Sequence, residues 1–338
     1  MGQYKCIFSV VEGAADSTPA MRRAVALARA SGAHLHFCGL LAPAAVNFVG
    51  HLSHTLRDVV KANMLSVRRD WLEEYMIGLR EQGIEVSGEI LWQEPDDENL
   101  VMRALNLRPD LVIKDAQHTG AIRPGFLSTV DQNLLRCCPY PLMIVAADAP
   151  ALPSRVLAAV DPAHPWHAAR QLNERVLGAA LGIALQADAR LSVASVIEAP
   201  PAQSKAERSR DPRSTDEIYQ QHRQDHQERL HRLTALQGIP PDRSKVLYGE
   251  PASSLADYVA ETGTDLLVIG TLYRGPIDHL FLGSTAKRLA SAMPCDILAV
   301  KPEGFDQDFV AIHGMHALSE PVHDDNLAAA LGRDPAGS

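Results

Sequence analysis

A chain of 338 residues with 46% hydrophobic side chains is long enough for two ordinary α/β cores, and with only 5% aromatics those cores must be filled by aliphatic residues. The 41 acidic against 32 basic residues leave a net charge of −9, which repels phosphate backbones and anionic lipid and so sets aside nucleic acid and membrane as partners. Five cysteines without a CxxC exclude a disulfide framework and a zinc site, and point to a reducing cytoplasm.

The apolar run 5–11 reads as a buried strand, with no secretory leader expected ahead of it. A helix is expected over 18–30 and a strand over 34–40. The apolar stretch 40–49 is too short to cross a bilayer and contains Pro43. A long helix over 54–82, a strand over 85–92, a helix over 97–107, a strand over 111–114, a helix over 129–137 and a strand over 142–145 follow. Cys137 and Cys138 read as small apolar residues ending a helix rather than as a redox pair. Residues 146–153, rich in Ala, Asp and Pro, read as an exposed linker.

The series then starts again. A strand is expected over 155–160 and a helix over 167–185, with Leu172, Val176, Ala179 and Ile183 at helical spacing. Next come a strand over 191–197, a polar loop over 198–211, and a helix over 215–236 closed by Gly238 as a left-handed cap. A strand over 245–248, a helix over 253–261, a strand over 265–269, a helix over 284–292 and a strand over 296–300 complete it. Residues 304–338, rich in Gly, Pro, Ala and Asp, read as a flexible tail.

The second series repeats the first. Residues 110–145 align with 265–300 at a constant shift of 155, without a gap, and share nine identities over 36 positions. Asp110 falls on Asp265, Gly120 on Gly275, Phe126 on Phe281, Pro139 on Pro294 and Val145 on Val300. The expected domains are therefore 1–147 and 154–303, each a five-stranded parallel sheet with helices on both faces. Such sheets bind ligands beyond the carboxyl ends of their strands, at the switch in strand order.

That points to the ends of strands one and four. In the second half, strand four leads through Gly270, Tyr273 and Gly275 to Gly283, Ser284 and Thr285 and then at once into a helix. Free N–H groups at a helix start, with hydroxyls beside them, are a ready anion site. Asp161 ends strand one, where a carboxylate could accept hydrogen bonds from a ribose or a base; a plain loop-starting residue before Pro162 is the competing reading.

The pattern Gly-x2-Gly-x9-Gly-Ser/Thr after strand four, with an acidic residue ending strand one, resembles the universal stress protein domain, and the likeness spans residues 3–302. The resemblance implies two tandem flavodoxin-like, adenine-nucleotide α-hydrolase-like domains. It also implies a cytoplasmic stress-response protein that binds ATP, with magnesium, through Asp161, Gly270, Tyr273, Gly283, Ser284 and Thr285. Tyr273 departs from the pattern by standing where the second glycine belongs: it either blocks the phosphates, stacks on a base or points to solvent. In the first half Asp115, His118 and Ser128 replace all three glycines and Glu12 replaces Asp161, so that half is expected not to bind ATP.

The competing reading is a nucleotide-free, pseudo-dimeric scaffold. Single-domain members of the resembled family pair through their last strands, which implies that 142–145 and 297–300 lie side by side. An enzyme is not expected. A ligase or hydrolase would need a base or lysine beside Gly283, and Lys287 and Arg288 stand on the helix body. Of the weaker signals, His313, His316 and His323 belong to the tail, and the mixed charges of 204–213 read as a solvated loop. His222, His226 and His231 read as a solvent-facing row, and Glu94 and Glu250 as turn residues before a proline.

Overall fold

The computed structural model describes residues 4–12, 17–41, 54–92, 99–116, 128–164, 167–198, 215–271, 288–289 and 295–307. The first half contributes β1 (Cys6–Glu12), α1 (Pro19–Ser31), β2 (His34–Leu41), α2 (His54–Glu81), β3 (Val86–Trp92), α3 (Asn99–Leu107), β4 (Leu111–Asp115), α4 (Thr129–Cys137) and β5 (Leu142–Val145). The second contributes β6 (Arg155–Ala159), α5 (His167–Ala187), β7 (Arg190–Ile197), α6 (Thr215–Ala235), β8 (Ser244–Tyr248), α7 (Pro251–Thr262), β9 (Leu266–Gly270) and β10 (Asp296–Val300). The helix expected over 284–292 lies outside the described residues except for Arg288 and Leu289.

All ten strands form one sheet in the order β3-β2-β1-β4-β5-β10-β9-β6-β7-β8. Pairing is parallel within each half, as near-continuous apolar strands require when both faces are covered. At the seam β5 and β10 run antiparallel, with Ile144 opposite Ile297, Met143 opposite Leu298 and Leu142 opposite Ala299. One face of the sheet packs on α1, α2, α5 and α6, the other on α3, α4 and α7. Gly238, at φ 69°, closes the turn after α6: the Ile239 N–H reaches back to the Thr234 carbonyl at 3.1 Å.

Buried charges tie the halves together. Arg23 of α1 and Asp296 of β10 meet at 2.7 Å with 0% and 1% exposure. The same guanidinium donates to the Ala151 and Pro150 carbonyls, each at 2.8 Å, and Asp296 accepts the Ala146 N–H at 2.8 Å. Residues 147, 148, 150 and 151 are exposed, as expected of the linker, and a buried arginine holds the backbone at 150 and 151. Beyond β10, Lys301 donates to the Leu135 carbonyl at 2.6 Å and the Arg136 carbonyl at 3.1 Å, closing the carboxyl end of α4 in the other half. Burial pushes the Lys301 ammonium down to about 8.

Candidate functional site

The switch in strand order falls between β1 and β4 in the first half and between β6 and β9 in the second. The two places have opposite characters. In the first half Lys114, 1% exposed near the end of β4, points its ammonium at Glu12, 2.9 Å away at the end of β1, and at Asp131, 2.6 Å away in α4. It also donates to the Asp115 carbonyl at 3.1 Å. Asp131 is held by α4 itself: Ser128 caps the helix by accepting the Asp131 N–H at 3.1 Å, and Asp131 accepts the Ser128 N–H at 3.2 Å. Burial raises the Glu12 pKa, partly offset by Lys114. Asp115 accepts the Ala20 N–H at 2.8 Å, so a carboxylate of the chain already occupies the start of α1. This crevice is closed by internal ion pairs.

At the shift of 155, the second half has Ile269 and Ala286 in place of Lys114 and Asp131. Asp161 follows β6 with an exposed side chain. Its backbone is clamped by Asn173 of α5, whose amide accepts the Asp161 N–H at 3.0 Å and donates to the Asp161 carbonyl at 2.7 Å. One carboxylate oxygen accepts the Ala163 N–H at 3.1 Å. An exposed carboxylate on a fixed backbone is what a ribose or base hydrogen bond would require.

Gly270 ends β9, but its lack of a side chain serves packing: a Cβ there would stand 2.7 Å from Leu172 of α5. The reason lies in helix length. Buried Ala20, Met21, Ala24, Leu27 and Ala28 of α1 match buried Val176, Leu177, Ala180, Ile183 and Ala184 of α5. On that alignment Pro19 falls on Arg175, and α5 starts about two turns earlier. Leu172 belongs to that extension.

Beside Asp161, Ser195 of β7 and His226 of α6 share a hydrogen bond of 2.8 Å. His226 is 4% exposed, which corrects its reading as a solvent-facing residue. It forms a buried stripe with Leu230 and Thr234, and that i, i+4 spacing was the overlooked signal. Burial lowers its pKa, partly offset by the Asp161 charge. Glu250 is the N-cap of α7, accepting the Ser253 N–H at 3.0 Å, and it holds Arg288 at 2.8 Å. Tyr273, Gly275, Gly283, Ser284 and Thr285 lie outside the described residues, as do His118, Glu94 and the three tail histidines. Of the expected site, the structure therefore places Asp161 and Gly270.

Known proteins resemble about nine tenths of the chain. A family model described as the universal stress protein family matches residues 3–146 and again 154–301. Universal stress protein E of Escherichia coli K12 is 24% identical over 309 residues, covering 90% of this chain and 96% of its own. The protein of the same name from Photorhabdus laumondii is 23% identical over 309 residues, covering 90% and 98%. Among solved structures, a functionally unknown protein from Pseudomonas aeruginosa PAO1 aligns with a TM-score of 0.71 at 20% identity, over 91% of this chain and 96% of its own. A universal stress protein from Archaeoglobus fulgidus aligns at 0.54 with 14% identity, over 87% and 98%.

Proposed function

Because the chain belongs to the universal stress protein family, whose domain it carries twice in tandem, we propose that it is a cytoplasmic stress-response binding module with one adenine-nucleotide site, in the second half. The supporting observation is the contrast between the two crevices. Lys114, Glu12 and Asp131 fill the first, whereas the second has Ile269 and Ala286 at the matching positions and an exposed Asp161. In this reading Asp161 holds the ribose or base, and Gly283, Ser284 and Thr285 receive the phosphates of ATP and its magnesium at a helix start. This reading requires that Tyr273 stack on the base or point to solvent rather than block the phosphates. In this reading ATP turnover is at most slow.

Calorimetry of the whole chain with ATP–Mg tests this. Measurable heat, and a loss of affinity in Gly283→Asp with no loss in Glu12→Gln, is the expected pattern. Absence of heat and of a thermal shift at millimolar ATP–Mg removes the nucleotide. Mass spectrometry of what co-purifies then distinguishes ATP from ADP and AMP.

One observation favours a nucleotide-free scaffold as a second reading. Leu172 alone accounts for the missing Cβ of Gly270, so that glycine needs no ligand to explain it. Stress-dependent capture of partners by a variant that binds no nucleotide would favour the scaffold.

A further inference from the structure

Three polar groups lie under α2 that neither the core nor the site above employs. On that face of the first-half sheet Val11, Gly39 and Ile90 stand in register, and Leu72 and Met76 of α2 pack where a Cβ on Gly88 would stand, 3.0 Å from each. One turn nearer the start of α2 is Arg68, 7% exposed. Trp92 ends β3, the strand that α2 covers. The Arg68 guanidinium lies 3.9 Å over the Trp71 ring. Its Nε and Nη2 are buried without a hydrogen-bond partner among the described residues, and so is Nε1 of Trp92. Lys61 holds its ammonium 5.0 Å from the centre of the Trp92 ring.

The pattern is specific. Nε and Nη2 form one edge of a guanidinium, the edge that grips an oxyanion through two parallel hydrogen bonds. Trp71 lies against the guanidinium, and that edge is left without a hydrogen-bond partner among the described residues. A buried cation with an unpaired fork is costly until an anion pairs with it. Arg68, Trp92 and Lys61 can only donate at these atoms, and two of them are cations.

We infer that the layer between α2 and β3 is an anion site for the phosphate group of a small molecule, gripped by Arg68, with the Trp92 indole donating to a further oxygen. A phosphate fits better than a carboxylate because it offers three acceptor oxygens and up to two charges. The site lies in the half whose crevice is closed, so it stands or falls separately from the nucleotide reading.

The test is calorimetry of the full chain with inorganic phosphate in a phosphate-free buffer, with acetate at matched ionic strength as comparison. Intrinsic fluorescence is read in parallel, since Trp71 and Trp92 are two of only three tryptophans. Saturable phosphate binding is expected, tighter than acetate, unchanged in Gly283→Asp and about tenfold or more weaker in Arg68→Met. Arg68→Lys, a point charge without the fork, should fall between. Trp92→Phe keeps the ring in the core, removes the indole donor and should also weaken binding. No saturable response in the unaltered chain, or equal affinity in Arg68→Met and Trp92→Phe, overturns the site. Acetate matching phosphate overturns the assignment of a phosphate.

Discussion

Replacing Lys114 by Met should destabilise the protein strongly at neutral pH and far less in mild acid. Met is close in length and apolar, so the change removes a charge without opening a cavity. It takes the cation from Glu12 and Asp131, whose side chains are 10% and 0% exposed. Breaking a buried ion pair from one side costs about 3–5 kcal/mol. Glu12 already has a folded pKa above its free value of 4.5, chiefly through burial, and Lys114 is an influence that lowers it. Without Lys114 the folded pKa rises further. A carboxyl raised on folding contributes stability that is present below its unfolded pKa and lost as pH rises through its folded pKa. The penalty should therefore be small near pH 4.5 and grow toward pH 7. Urea unfolding followed by circular dichroism reads this directly: with a slope of about 3 kcal/mol per molar, the midpoint should fall by about 1–1.7 M at pH 7. Adding Glu12→Gln should restore part of the loss. A midpoint unchanged at pH 7, or shifted equally at pH 5 and pH 7, would refute the view that Lys114 neutralises this crevice.

Arg23→Met should cost about 3–5 kcal/mol by stranding Asp296 and should free residues 146–153 to proteases under native conditions, where the unaltered chain resists; equal cleavage rates would count against a clamped linker. Gly270→Ala should cost about 1–3 kcal/mol, because its Cβ would stand 2.7 Å from Leu172. Combined with Leu172→Ala, the loss in thermal stability should be smaller than the sum of the single changes, and strict additivity would deny the contact.

The strands and their succession along the chain were legible because apolar runs alternate with helical stripes, and the duplication because 110–145 repeats at 265–300 without a gap. The closed crevice was harder to read. Lys114 reads as the last residue of an apolar strand, and nothing beside it in the sequence names its partners. Its partners come from β1 and α4, so their meeting depends on the sheet order. Ser128 and Asp131 carry a capping-box spacing that could have flagged one of them. At 146–153 composition was right that Pro150 and Ala151 are exposed, but it could not show that their carbonyls answer to an arginine over 120 positions away. Gly270 was legible as a position but not in its role, which depends on where α5 begins.

The antiparallel pairing of β5 with β10 has a geometric consequence for the molecule as a whole. Every strand of one half runs opposite to every strand of the other, so the two sets of carboxyl ends open at opposite poles of a single ten-stranded sheet. A ligand beside Asp161 and an anion beside Trp92 would belong to different halves and to opposite ends of the sheet. Any influence of one on the other must cross the seam, where the β5–β10 pairing, the Arg23–Asp296 pair and the Lys301 contacts with the end of α4 join the halves.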